Sequence, residues 1–183
     1  MKTKPVKPTE NLKVKDFTYS TKVAVSQGEK DIQLLNIGDT VLAFTIKQQE
    51  NKIIPEVLDA KISFSSGATE SDFGPTMVYI NFIFGDSVRD LICSFDQVFL
   101  LSNGKYAKAG QLRPGFQLVK KDGGPADIIN VSLGYFYGGI HNISTNAPMK
   151  DNPNGHLLLI NGVIAGDFSV QLFFDNLPDD WKE

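Results

Sequence analysis

The chain has 183 residues, of which 42% are hydrophobic and 21% charged, with a formal net charge of −3 and a pI near 5.4. This composition predicts one soluble globular domain and excludes a disordered chain. The basic footprint of a nucleic-acid-binding domain is missing, so we expect no nucleic-acid partner.

Signals for other compartments are also missing from the sequence. No apolar segment of the kind found in signal peptides follows Met1, and no apolar run is long enough to span a bilayer. Cys93 is the single cysteine, which excludes a disulfide within the chain. We therefore expect a cytoplasmic protein by default.

The two ends of the chain differ in charge. Residues 1–15 hold five lysines and one acid, whereas residues 175–183 hold four acids and one lysine. We interpret the first segment as a lysine- and proline-rich leader and the second as an acidic C-terminal tail, both solvated. A leader that docks on a membrane or a partner is the alternative. The domain predicted between them covers residues 16–174.

From residue 17 onward, short β-rich runs alternate with turn signals, and helical periodicity is almost absent. Asn103-Gly104 and Asn161-Gly162 predict tight hairpins, because a primed turn needs positive φ. Pro55 lacks a ladder donor and marks an edge or a bend. This pattern indicates an all-β domain. The main strands are predicted at residues 22–25, 40–46, 57–64, 77–84, 91–94, 97–102, 116–120, 127–133 and 170–174, with loops at 65–76 and 147–155.

One stretch of sequence occurs twice. Residues 35–42 (LNIGDTVL) return as residues 112–119 (LRPGFQLV), and the upstream residues 23–28 (VAVSQG) match residues 99–104 (FLLSNG). Both copies contain a strand, a glycine turn, a short apolar segment, a second glycine turn and another strand. The repeat predicts a duplicated β unit.

Four segments, in this order and spacing, resemble the sequence blocks of the Hint superfamily, the fold shared by inteins and the autoprocessing domain of Hedgehog proteins. They are residues 21–44, which contain LLNIGDTVLAF, residues 93–100 (CSFDQVFL), residues 104–115 (GKYAKAGQLRPG) and residues 156–167, which contain NGVIAGD. The resemblance covers about residues 16–168. It implies a disc or horseshoe of many short strands with an internal pseudo-twofold duplication.

The resemblance also implies where a self-processing centre would lie. In the family, a Cys or Ser at the domain start attacks the preceding peptide carbonyl. A Thr and a His polarise and protonate that bond, and in inteins a terminal Asn cyclises beside a His. The nucleophile position falls on Asp16, or on Thr18 or Ser20 if the match slips. The positions carried over to this chain are Asp16, Cys93, Asp96, Gly166 and Asp167.

None of these positions carries the residue that the chemistry uses. Asp96 replaces a His as proton donor near neutral pH only if its pKa is strongly raised, and Gly166 donates nothing. The resemblance therefore implies that splicing and cholesterol transfer are lost, and we lean against an enzyme. His141 and Asn142 imitate an intein terminus, but closing strands follow them, so we interpret both as strand residues. We place His156 at a hairpin start rather than at a catalytic centre.

The first hypothesis for the function is a binding or structural module for an unknown protein or small ligand, without a cofactor. Loops on a rigid scaffold are the usual contact regions. The candidate ligand-binding residues are Tyr135, Phe136 and Tyr137, whose rings either stack on a ligand or pack.

Two other hypotheses use the candidate centre. In one, Asp16, Asp96 and Asp167 converge and either bind a divalent metal ion or hydrolyse a substrate, because crowded carboxylates need a proton or a cation between them. In the other, residual self-cleavage occurs near residues 15–20 with Thr18, Ser20 or Cys93.

Overall fold

The computed structural model describes residues 16–70 and 74–183, and β strands dominate them, which confirms the all-β fold class. One short helix, α1 (Phe168–Phe173), follows the last strand, and 3-10 helices lie at Ile32–Leu34, Ala109–Gln111, Phe174–Asn176 and Asp179–Trp181. No helix in the described segments is long and apolar enough to cross a membrane. The strands are β1 (Phe17–Thr18), β2 (Lys22–Val25), β3 (Gly28–Asp31), β4 (Thr40–Gln49), β5 (Lys52–Ala68), β6 (Thr76–Phe84), β7 (Ser87–Cys93), β8 (Val98–Leu100), β9 (Tyr106–Lys108), β10 (Gln117–Val119), β11 (Pro125–Tyr135), β12 (Ile140–Thr145), β13 (Leu157–Ile160) and β14 (Val163–Gly166).

These strands form one curled antiparallel sheet. Its order is β10-β11-β6-β7-β1-β12-β5-β4-β13-β14-β8-β9. Outside this order, β2 pairs with β13, and β3 pairs with β2. The short strand β1 lies between β7 and β12, with Phe17 opposite both Cys93 and His141. The start of the domain is therefore held in the interior of the sheet rather than at its edge.

The repeated sequence forms two copies of one backbone unit. The first copy is β2, β3, the 3-10 helix Ile32–Leu34 and β4, and the second is β8, β9, the 3-10 helix Ala109–Gln111 and β10. Gly38 and Gly115 turn the chain at φ of 93° and 94°, a region that favours glycine. Their amides donate to the carbonyls of Ile62 and Ile128 at 2.8 and 3.0 Å. The predicted duplication is thus confirmed.

Local turn and edge signals are confirmed as well. Asn161 and Gly162 join β13 to β14 with φ of 46° and 91°, as the predicted hairpin requires. Pro55 lies in β5 opposite Ile46 of β4, in a part of β5 that β12 does not reach. The ring therefore occupies a sheet edge, where the missing donor leaves no gap in a ladder.

Strand β5 is longer than its sequence predicts. Its last residues were expected in a loop from 65 to 76, but β12 pairs with β5 along residues 62–68 and keeps them extended. Ser and Gly have weak strand preference, and cross-strand pairing overrides it here. His141 and Asn142 lie inside β12, as the strand interpretation predicted.

The residues after β14 close the second of two hydrophobic clusters. Val170, Phe174 and Leu177 pack with Phe44 and Tyr106, among others. Further on, the amide of Glu183 donates to the carbonyl of Tyr106 at 3.0 Å. Leu177 and the amide of Glu183 therefore anchor residues 175–183 to the domain, while the acidic side chains of this segment remain exposed. The leader, residues 1–15, lies outside the described residues.

This packing predicts that Leu177→Ala destabilises the fold. Leu177 is 8% exposed, and truncation of a buried leucine leaves a cavity that costs about 2–4 kcal/mol. The matched control is Leu172→Ala, because Leu172 is 53% exposed. Denaturant unfolding followed by circular dichroism measures both variants. Equal stability of the two would show that the segment after residue 174 does not contribute to the core.

Candidate functional site

The positions implied by the resemblance lie where four segments meet. The carbonyl of Asp16, before β1, accepts from the amide of Ser94 at 3.0 Å. Gln97, at the end of the same turn, donates its side-chain amide to the carbonyl of Gly166 at 2.6 Å. Asp167 accepts from the amide of Thr145 in β12 at 2.9 Å. We call this junction the candidate centre, residues 16, 93–97, 144–145, 156 and 166–167.

Asp16 is mostly removed from water at the candidate centre. Burial disfavours the carboxylate and raises the pKa of Asp16 to about 6. A carboxyl group with that pKa is largely ionised at neutral pH. It is a weak nucleophile compared with a thiolate or an activated hydroxyl.

Cys93 is a core residue of β7. It is fully buried, and the sheet pairs it with Phe17 on one side and Val78 on the other. Burial raises the pKa of the Cys93 thiol well above its usual range. Because the thiolate is the reactive form, this environment makes Cys93 a small hydrophobic side chain rather than a nucleophile.

Asp96 faces a lysine at the surface. Its carboxylate lies 3.4 Å from the ammonium group of Lys108, and both side chains are partly exposed. The neighbouring Gln97, by contrast, is fully buried. The turn after β7 therefore directs Gln97, not Asp96, toward Gly166.

Gln97 and Ser94 are the contributors that the sequence interpretation missed. Besides its bond to Gly166, Gln97 accepts from the side-chain amide of Gln171 in α1 at 2.7 Å. The hydroxyl of Ser94 is buried without a hydrogen-bond partner in the described residues. Ser94 and Gln97 are separated by the same three positions as Cys93 and Asp96. A register shift of one residue in the second block would have selected them.

Asp167 is the most heavily bonded side chain of the centre. Its Oδ2 accepts from the amide of Thr145 at 2.9 Å and the hydroxyl of Ser144 at 3.2 Å, and it lies 2.8 Å from Nδ1 of His156. Its Oδ1 caps α1 by accepting from the amides of Ser169 and Val170 at 2.9 and 3.3 Å. Both carboxylate oxygens are thus fully used inside the protein.

His156 lies immediately before β13, at the hairpin start that was predicted, and also contacts Asp167. Burial disfavours its charge, but the hydrogen bond and charge of Asp167 and the carbonyl of Ala147 outweigh this, so the pKa of His156 is raised. The carbonyl of Ala147 lies 2.7 Å from Nε2. Both ring nitrogens therefore face acceptors, which favours the imidazolium form.

The three candidate metal ligands have separate partners. Asp96 pairs with Lys108 and Asp167 with His156, while Asp16 is desolvated at the start of β1. In residues 16–70 and 74–183, no group of three or more His, Cys, Asp or Glu side chains is arranged to hold a metal ion. The metal centre stays a prediction that no grouping of ligands in these segments supports.

The other two candidate nucleophiles, Thr18 and Ser20, lie in a strand and a turn of the fold. Thr18 is a buried residue of β1 opposite Ile140. Ser20 has φ of 68°, and its amide donates to Oε1 of Gln33 at 2.8 Å. Neither hydroxyl is placed beside a titratable base by any described hydrogen bond.

The aromatic residues at the end of β11 and just after it are partly packed and partly exposed. The ring of Tyr137 lies over Gly74, where an added Cβ would be 2.2 Å from it, and the ring of Phe136 similarly covers Gly138. Tyr135 and Tyr137 are nevertheless 71% and 61% exposed. The structure therefore leaves these residues as candidate ligand contacts.

Solved structures of inteins share this fold. The bacterial intein-like domain from Clostridium thermocellum matches with a TM-score of 0.64 and 18% identity, over 84% of this chain and 99% of that domain. The gp41-1 intein matches with a TM-score of 0.59 and 18% identity, over 83% and 98%. A DnaB intein from Synechocystis matches with a TM-score of 0.58 and 15% identity, over 83% and 97%.

Comparison with sequences adds no further relative. No protein-family model matches the chain, and no curated protein matches it significantly. At the identities given above, structural likeness shows the fold alone. The chain has the Hint fold of inteins, as the four sequence blocks implied.

The bonds of Asp167 predict a large effect of Asp167→Ala on stability. The change leaves His156 buried without its partner and removes the cap of α1, which together cost about 3–5 kcal/mol. Asp167→Asn keeps an oxygen for the cap and is expected to cost less. Asp59→Ala, at an exposed carboxylate, is the control. Denaturant unfolding at pH 7 that gave all three variants wild-type stability would contradict the structural role of Asp167.

Asp16 predicts a pH dependence. Its folded pKa of about 6 lies above the ordinary value of 3.8, so ionisation is disfavoured in the fold. The fold is most stable when Asp16 is protonated, so the free energy of unfolding falls as pH rises from about 4 to about 6. Asp16→Asn removes this loss, so the variant gains on the order of 1–2 kcal/mol over wild type between pH 4 and pH 7. Unfolding curves across that range, with Asp59→Asn as control, test this; parallel pH profiles would refute it.

Proposed function

We propose that this chain, which has the intein fold, has lost splicing and autoprocessing and acts as a binding or structural module. The observation that carries the proposal is the packing of the segment after Asp167. Val170, Phe174 and Leu177 belong to the second hydrophobic cluster. Cleavage at the closing position would therefore detach part of the core that the fold needs for stability.

The chemistry of the candidate centre supports the same proposal. Transfer of a proton to a leaving amine needs a free titratable group, but Gln97 carries a carboxamide and Gly166 has no side chain. His156 is titratable, yet both of its ring nitrogens already face internal partners. Cyclisation by a terminal residue needs a side-chain amide nitrogen, whereas Asp167 offers a carboxylate whose oxygens each accept at least two hydrogen bonds. A carboxylate held in this way is a poor attacking group.

The residues at the family's nucleophile and catalytic Thr positions also support the proposed loss of autoprocessing. Asp16 is a carboxyl group, and Cys93 is buried in β7 with a raised pKa. No described contact joins either side chain to a general base. Linked catalytic groups fail together, so loss of several of them removes activity rather than reducing it in proportion.

The proposal predicts that the purified protein stays intact. We expect one full-length mass after prolonged incubation with dithiothreitol or hydroxylamine, because neither Asp16 nor Cys93 is placed to form an ester or a thioester. Intact-mass spectrometry measures this, with Asp16→Ala and Cys93→Ala as controls for the origin of any fragment. A fragment beginning near residue 16 or ending at residue 167, absent from the matching variant, would overturn the loss of autoprocessing.

A further inference from the structure

One cavity of the structure is a polar groove whose lining residues lie outside the candidate centre. It has a volume of about 420 Å³ and lies between the outer half of β4, the turn from β8 to β9, the loop before β13 and the last 3-10 helix. This volume lies in the range of small-molecule sites, roughly 300–1,000 Å³. Among its lining residues are Gln48, Lys105, Asn152, Asn154, Asp180 and Trp181.

The amides of the groove are held in place by the fold. Oδ1 of Asn154 accepts from the backbone amide of Ile46 at 3.0 Å, and Oδ1 of Asn152 accepts from the amide of Asn154 at 3.0 Å. The oxygen of each side chain is thus used internally, which leaves its NH₂ group as a donor for a ligand. Preorganised donors of this kind lower the entropy cost of binding.

The Gln48 side chain lies against the turn that contains Gly104. A Cβ added to Gly104 would lie 2.2 Å from Nε2 of Gln48, so the glycine leaves room for the side chain over the turn. In the described part of the chain, the Gln48 carboxamide has no hydrogen-bond partner. It therefore offers both a donor and an acceptor beside the amides of Asn152 and Asn154.

The remaining walls add an aromatic face and balanced charge. Trp181 is 37% exposed, and Lys105 and Asp180 contribute one positive and one negative group. A charge-balanced site does not select an anion. An apolar ligand would displace the water that is hydrogen-bonded to these amides and would leave the amides without partners. A ligand rich in hydroxyl groups satisfies mixed donors and acceptors, and its C–H face stacks on an indole ring.

An added peptide strand fits the groove less well. The edge of β4 would have to donate the amide of Ile46 to such a strand, but Asn154 already accepts that amide. Strand addition depends on a row of free backbone groups. The side chain of Asn154 interrupts this row at its start.

We infer that this polar groove binds a neutral saccharide, with Trp181 as the stacking platform and the carboxamides of Gln48, Asn152 and Asn154 as hydroxyl contacts. None of these residues belongs to the candidate centre. The inference goes beyond the proposed loss of autoprocessing and does not depend on it.

The single tryptophan of the chain makes the groove directly observable. Trp181 is the only tryptophan in the sequence, so emission excited selectively from tryptophan reports on this site alone. We expect a saturable change in emission during titration with at least one of maltose, cellobiose and diacetylchitobiose. Saturation-transfer NMR of the same disaccharides checks for binding that leaves the emission unchanged.

Two variants distinguish saccharide binding in the groove from a non-specific change in the protein. Gln48→Ala removes a side chain without internal partners and is expected to weaken binding about 3- to 10-fold. Gln27→Ala removes an exposed glutamine side chain outside the groove and should bind as wild type. Equal affinity of wild type and Gln48→Ala would overturn the inference, as would silence of all three disaccharides in both measurements.

Two further outcomes keep the proposals distinct. A response to tetraglycine but to no disaccharide would identify the groove as a strand-docking edge and refute the saccharide. Intact mass recorded on the titrated sample reports autoprocessing separately. A cleaved chain that still binds a disaccharide would refute the proposed function alone, and an intact chain that binds none would refute this inference alone.

Discussion

A buried ion pair between His156 and Asp167 fixes the C-terminal half of the fold. Transfer of two charges out of water costs several kcal/mol each, so the pair persists only if every remaining polar atom is satisfied. That condition is met: both carboxylate oxygens and both ring nitrogens have partners. The partners come from β12, the loop before β13 and α1. One interaction therefore ties together segments that are distant along the chain.

The route of the chain after β14 follows from this pair. Asp167 caps α1, which sets the direction of the helix and brings Val170 into the second hydrophobic cluster. The chain then returns to Tyr106, whose carbonyl accepts from Glu183. Trp181 lies in the same returning segment and forms a wall of the polar groove. The groove and the core thus depend on a contact made at the candidate centre.

Sequence reasoning succeeds here where the cause is local. The Asn161-Gly162 turn, the edge position of Pro55 and the duplicated glycine turns each follow from the conformational limits of one or two residues. The contact of His156 with Asp167 depends on the register of the β13–β14 hairpin and on burial. A three-residue spacing likewise does not decide between Cys93 with Asp96 and Ser94 with Gln97, because only the turn geometry determines which pair faces inward.

Residues 175–183 show a related limit of reasoning from composition. Four acids predict solvation of the segment as a whole, yet Leu177 alone contributes a buried anchor, and the acids remain at the surface around it. Burial is decided residue by residue, whereas composition averages over the segment. Composition likewise does not predict that Trp181 lines the groove, because this depends on which residues the last segment of the chain packs against.

Gln97 forms a structural link between the last strand and the helix that follows it. A carboxamide donates and accepts at once, so Gln97 joins Gly166 of β14 to Gln171 of α1 without carrying a charge. These bonds do not change with pH, while proton transfer requires a group that does. Gln97 and Asp167 both tighten the connection between β14 and α1, which is the connection that cleavage after Asp167 would break. Bonds on both sides of this junction therefore hold the joined segments together, as the proposed loss of autoprocessing requires.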